Sequence, residues 1–301
     1  MVFLQIRVSV VYHSSAGVAV SLSIELGTLA EHVLGRARMR ITNVMSKLYK
    51  GKTCVYCAKP EAALTGDHVI ARSFFSLDER DNLPQVPTCA PCNNVKSALE
   101  TYLSALLPQG AQHQGDASSY WTDSRRRIEK NQKLKRDLQA GAYISSQIDA
   151  NGKPISAPML PIDASKLLDL AKYIAKGLLF YHWKVIVPED QVIHCQFMRE
   201  TGESIFSDMI KNMQSIAADH GSDDFIQFTG LTPLGRQTVT YEGFFVPADA
   251  PFSVWRLNFY RAKLGVPGAQ EFTSDLMMLI QGTSGVPAWF SSQSAPSDSQ
   301  T

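Results

Sequence analysis

The most regular hydrophobic periodicity in the chain spans residues 166–183. There Leu167, Ala171, Ile174, Leu178 and Tyr181 recur on one side, and Lys166, Lys172 and Lys176 fall on the other. Apolar positions at this spacing predict an amphipathic helix with one face in a core. Asp163 or Ser165 is placed to cap it, because a short polar side chain can accept from the free first-turn amides. Downstream, the period shortens. Segments 184–187, 191–197, 225–229, 238–246 and 252–260 are rich in aromatic and β-branched residues and predict strands. A helical pattern over 204–218 interrupts them. Upstream, Val95, Leu99, Tyr102 or Leu103, and Leu106 predict a helix from Asn93, stopped by Pro108-Gln-Gly110. Residues 121–140 form a sparser pattern, with Ile128, Leu134 and Leu138 as its only regular apolar points. That segment carries seven Lys or Arg against three acids and predicts a basic helix. Near the N-terminus, 2–12 suggests a strand, 17–26 a second apolar run and 28–36 a short helix.

Mixed helices and strands make the fold class α+β, and punctuation divides the chain. Residues 1–44 are an N-terminal extension whose irregular pattern fits no clear element. Met39 or Met45 is an alternative start that would remove most of it. Residues 45–107 are a compact module, and 108–150 are a loop and the basic helix. Three prolines between 150 and 161 mark a boundary before an α+β domain over 151–290. The Ser/Gln/Pro/Asp-rich tail, 291–301, has too little apolar surface to fold alone. With 301 residues and 45% hydrophobic content the chain can bury a sizeable core.

Charge and targeting narrow the classes. The net charge is only +1, so any affinity for nucleic acid must come from local patches. One such patch lies between Arg36 and Lys59, with seven Lys or Arg and no acid. No run of about 18 apolar residues predicts a membrane span. The first residues lack the charge pattern and cleavage site of a signal peptide. A cytoplasmic protein is the expectation.

Cysteine spacing changes the picture most. Cys54 and Cys57 are two residues apart, as are Cys89 and Cys92, with 31 residues between the pairs; Cys195 stands alone. A Cys-x-x-C turn aims two thiolates at one point, and two such turns complete a tetrahedral zinc site. Four thiolates close the metal off from water, so this zinc is structural. Between and just beyond the pairs lie Asp67, His68, Asn82, Asn93, Asn94 and Lys96, residues a closed zinc leaves unexplained. The other histidines look less chemical. His182 fits packing on its helix, and adjacent residues such as His194 and Cys195 point to opposite faces of a strand.

In order and spacing, Cys54-Val-Tyr-Cys57, Gly66-Asp67-His68-Val69-Ile70, Asn82-Leu83 and Cys89-Ala-Pro-Cys92-Asn93-Asn94-Val-Lys96 resemble the zinc-bearing, four-cysteine branch of the HNH endonucleases, the ββα-metal or His-Me finger nucleases. The resemblance covers residues 50–107. It implies a small zinc-stapled ββα-metal module followed by the α+β domain. It implies His68 as general base, and Asp67 and Asn93 as ligands of a catalytic Mg²⁺ or Mn²⁺. Asn82 would position the loop and the base. Asn93 stands where relatives often have a second histidine, which makes the site harder and its ligand weaker. Lys96, Arg72 and, on the basic helix, Arg125, Arg126 and Arg127 would contact nucleic acid. The expectation is a hydrolase cutting phosphodiester bonds in DNA, with a homodimer compatible with it. A non-catalytic zinc-binding, nucleic-acid-binding protein is the alternative.

Overall fold

The computed structural model describes residues 8–11, 19–22, 47–110, 117–148, 154–159, 162–189, 191–198, 200–220, 226–247, 252–264 and 272–280. The expected helix at 28–36 and the tail at 291–301 lie outside them. The chain divides into two compact units, Met1–Leu48 and Tyr49–Thr301. In the first, β1 (Val8–Val11) pairs antiparallel with β2 (Ala19–Leu22). The remaining elements belong to the second.

That unit opens with a hairpin and a helix. β3 (Thr65–His68) pairs antiparallel with β4 (Gln85–Thr88), with His68 opposite Gln85. Helix α1 (Ala90–Leu106) follows directly, with Cys89 as its N-cap and Pro91 in its first turn. Proline suits that position because the first-turn amides have no helical acceptor. Helices α2 (Ala117–Lys130) and α3 (Gln132–Gly141) replace the single basic helix expected from the sequence. The break falls at Asn131, whose side chain accepts from the Leu134 amide and caps α3. Leu134 and Leu138 pack on Ala105 and Leu106 of α1, so the sparse apolar points have a use.

The proline-rich boundary is a hairpin, β5 (Tyr143–Ile148) with β6 (Pro154–Met159). Helix α4 (Ala164–Trp183) is capped by Asp163, which accepts from Ser165. It buries Leu167, Leu170, Ala171, Ile174, Ala175, Leu178 and Leu179, whereas Tyr181 is exposed, so the stripe is broader than expected and ends a turn sooner. Residues 184–187 form no strand. Lys184 takes a left-handed C-cap conformation, and the segment joins no ladder. The sheet runs β7-β12-β11-β10-β8, with β9 also on β10, using β7 (Ile193–Phe197), β8 (Gln227–Phe228), β9 (Thr232–Leu234), β10 (Val239–Val246), β11 (Phe252–Leu264) and β12 (Phe272–Ile280). All its pairings are antiparallel. The fold is therefore α+β, as read.

Strand alternation gives the sheet two apolar faces. Phe244, Val246, Val254 and Leu279 meet Phe206 of helix α5 (Glu200–His220). Tyr241, Trp255, Leu257 and Met278 join a larger cluster with α4 and with Val55, Val69, Ile70, Phe74 and Phe75 of the cysteine module. The cysteine module from Cys54 on, α4 and the sheet thus share one core, although the sequence suggests a boundary between 107 and 151. Polar contacts reinforce the junction. Glu79 is buried and accepts from the Arg236 amide at 2.9 Å and Thr238 Oγ1 at 3.1 Å. Tyr260, which takes a left-handed backbone beside a register shift in β11, donates to the Phe74 carbonyl at 2.5 Å. Such irregularities re-aim a strand side chain.

Candidate metal centre and the residues around it

The hairpin and α1 bring the two Cys-x-x-C turns together. The four ligand sulfurs of Cys54, Cys57, Cys89 and Cys92 lie within 4.8 Å of one another, and Cys57 Sγ is 3.8 Å from Cys89 Sγ. A tetrahedron with bonds of about 2.3 Å has edges of about 3.8 Å, so the donor set and its spacing fit zinc. Tight backbone geometry forms the first turn. Cys54 N donates to Lys59 O at 3.0 Å, Ala58 N donates to Cys54 O at 2.9 Å, and Ala58 has a φ of 55°. Burial pushes the Cys54 thiol up, but nearby backbone hydrogen bonds at Cys89, Cys57 and Tyr56 outweigh it and bring it down to about 7. Burial and the neighbouring sulfurs push Cys92 up. A divalent cation is what relieves such crowding, since it holds all four as thiolates.

The second group lies on β3 and the inner face of α1. Asp67 Oδ2 accepts from Tyr56 Oη at 2.8 Å and faces Lys96 Nζ at 2.9 Å. Lys96 has no exposed side-chain surface. Its ammonium also donates to the His68 carbonyl at 2.7 Å and pairs with Glu100 one turn along α1. Lys96 therefore faces the interior, where no phosphate reaches it. The buried stripe of α1 is Lys96, Glu100, Leu103 and Leu106; Leu103 and Leu106 match the expected stripe, whereas Val95 is exposed and Leu99 half-buried, with Lys96 and Glu100 inside in their place. The helix is phased by a buried ion pair, which an apolar count cannot register. Burial, together with Asp67, holds the Glu100 carboxyl up at about 7 against the pull of Lys96.

His68 is half-buried, and its Nε2 lies 3.1 Å from the Gln85 amide nitrogen. In that arrangement Gln85 donates and Nε2 is the acceptor, which places the ring proton on Nδ1. Burial lowers the His68 pKa, Arg72 and Lys96 lower it further, and Asp67 opposes them. The ring is neutral at pH 7.

Asn93 is half-buried in the first turn of α1, and Asn82 is exposed in a left-handed turn with φ 57°. Neither side chain joins the Asp67–Lys96 network among the described residues. Arg72 is exposed just after β3. On α2, Arg125 and Arg126 are exposed, with Arg126 near Asp123, whereas Arg127 is half-buried and donates to the Ser104 carbonyl at 2.9 Å. Arg127 thus ties α2 to α1. Four residues here carry no motif signal. They are Tyr56, Gln85, Glu100 and Arg80, whose Nε and Nη2 both donate to the Phe75 carbonyl. Burial and the charges of Arg127 and Arg72 depress Arg80 against the opposing Asp123, and Arg72 also acts on His68.

His182 Nε2 lies 3.1 Å from Tyr241 Oη and its ring packs among Trp183, Tyr241 and Trp255, a packing role. A cleft of about 460 Å³ between α1 and α4 is lined by Val95, Leu99, Lys172, Tyr173 and Lys176 over Tyr56. No helix among the described residues is long and apolar enough to cross a membrane. Comparison with family models, curated proteins and solved structures found no match.

Proposed function

We propose that the protein is a metal-dependent endonuclease of the HNH type that hydrolyses phosphodiester bonds in DNA. The observation that carries the reading is the pairing of a neutral His68 with a pinned Asp67 on one strand, in a hairpin and helix closed by the four-cysteine cluster. Phosphodiester hydrolysis needs a base to take a proton from water and a cation to neutralise the phosphate. A neutral His68 serves as the base when an attacking water takes the place of the Gln85 amide at Nε2, which accepts from Gln85 in the resting geometry. Asp67 and Asn93 supply a carboxylate and an amide oxygen, a hard donor set that suits Mg²⁺ or Mn²⁺. When bound, that ion supplies charge neutralisation at the scissile phosphate and leaving oxygen. The four cysteines hold a structural Zn²⁺ that fixes the two ends of the loop carrying Asp67 and His68.

The exposed Arg72, Arg125 and Arg126 suit a phosphate backbone, which is contacted without regard to sequence. The exposed basic face of α2 and α3 also suits the second reading, a zinc-stapled DNA-binding protein without catalysis. The test is nicking of supercoiled plasmid by zinc-loaded protein with Mg²⁺ or Mn²⁺. Cleavage by the wild type and none by His68→Ala supports the nuclease. Tight DNA binding with no cleavage by either supports the second reading.

A further inference from the structure

The buried ion pair on α1 has no place in the chemistry above, yet it touches Asp67 directly. Lys96 and Glu100 occupy the inner face of a helix, where apolar residues would cost less. Their contacts converge on one atom. Tyr56 Oη and Lys96 Nζ both engage Asp67 Oδ2, at 2.8 and 2.9 Å. Glu100 holds Lys96 from the far side, and Lys96 also grips the His68 carbonyl at 2.7 Å. The Tyr56 ring is itself fixed, edge-on to Tyr173 of α4 at 5.1 Å and nearly fully buried. Asp67 Oδ1 makes no hydrogen bond among the described residues, and the Asp67 side chain keeps 11% of its surface exposed. One oxygen of this carboxylate is clamped and the other looks outward.

We propose that Tyr56 and Lys96 are positioning residues that hold Asp67 in a single rotamer and present Oδ1 alone to a hard divalent cation. This rests on the reading of Asp67 as a metal ligand and adds what orients it. Because Tyr56 lies inside the Cys54-x-x-Cys57 turn, the clamp ties the structural cluster to the second metal position. Hydrogen bonds behind a metal ligand typically set affinity by about 10-fold or more when removed.

The test uses the full chain, zinc-loaded, with Mn²⁺ as probe and free Mn²⁺ read by electron paramagnetic resonance. Tyr56→Phe removes only the hydroxyl. It is expected to weaken Mn²⁺ binding about 10-fold, with zinc content unchanged. Plasmid cleavage should need about 10-fold more Mn²⁺ for half its maximal rate, while the rate at saturating Mn²⁺ stays within about 2-fold. A merely structural role would lower the saturated rate and zinc content together, and that result overturns the inference. Unchanged Mn²⁺ affinity in Tyr56→Phe also overturns it, and leaves the nuclease reading standing if wild type still cleaves. Absence of Mn²⁺ binding by zinc-loaded wild type, or equal binding by Asp67→Asn, overturns the metal-ligand reading and this inference with it.

Discussion

Glu100→Gln should make the folded protein more stable at pH 8 and change it by under about 1 kcal/mol at pH 5. Glu100 is buried on α1 against Lys96, and burial with the nearby Asp67 raises its carboxyl from 4.5 to about 7. The folded state therefore holds this proton more tightly than the unfolded chain does. Its stabilising contribution is complete below the unfolded value of 4.5 and is lost as pH rises through about 7. A shift of this size corresponds to ~3 kcal/mol lost by pH 8, at 1.36 kcal/mol for each unit. An amide mimics the protonated carboxyl, and its oxygen still accepts from Lys96. It carries no charge to lose. The assay is urea denaturation of zinc-loaded wild type and variant at half-unit steps from pH 5 to 8.5. Taking the difference at each pH cancels other titrating groups. His68 is one, with the opposite sign. Its lowered pKa makes its contribution complete above the unfolded value near 6.5 and lost as pH falls through the folded value. The variant's advantage should be under about 1 kcal/mol at pH 5 and grow toward ~3 kcal/mol above pH 7. A gap that stays constant with pH, or that grows as pH falls, would refute the assignment of a raised carboxyl at this position.

Three further outcomes are expected. Cys92→Ser leaves three thiolates and should lower zinc retention against a chelator by orders of magnitude, read by a colorimetric zinc-release assay, and should unfold the module on chelation. A chain ending at residue 150 should not fold even with zinc. It strips the α4 and sheet residues from Val55, Val69, Ile70, Phe74 and Phe75, burial worth roughly 10 kcal/mol in all, which is comparable with the stability of a whole domain. Loss of a cooperative thermal transition would verify this, and a well-dispersed amide spectrum would contradict it. Gly177→Ala places a methyl 2.8 Å from Val69 Cγ1. The overpacking costs about 1–3 kcal/mol and outweighs a gain of about 1 in helix propensity, so the urea midpoint should fall.

Much of the site was legible in the sequence, because metal-ligand spacing is a local property. Cys54, Cys57, Cys89 and Cys92 announce their cluster by two matched turns, and the fold brings all four sulfurs together. The helix beginning near Asn93 could also be read, from its periodicity and the Pro108-Gln-Gly110 stop. What failed was long-range or electrostatic. Hydrophobic counting put Val95 inside and Lys96 outside, and a buried ion pair reversed them. The prolines at 154 and 158 signalled a boundary, yet both lie in β6 of a two-stranded hairpin, which has edges that tolerate them. Nothing local tells that Glu79 reaches Arg236 and Thr238, or that Tyr260 reaches Phe74, since those partners are far apart in sequence. The same holds for Tyr56, Gln85 and Arg80, whose importance comes from what the fold sets beside them.

The central claim is that His68 is a base working beside a divalent cation. It is tested most directly by initial rates of plasmid cleavage against pH, with saturating Mg²⁺ or Mn²⁺, for wild type and His68→Ala. The wild type should cleave in a metal-dependent manner. The rate should rise with pH and level off before neutrality, because burial lowers the His68 pKa. His68→Ala should lose about 100-fold or more, with no such rise. Equal rates for the two proteins, or no cleavage by zinc-loaded wild type with either metal, would contradict it.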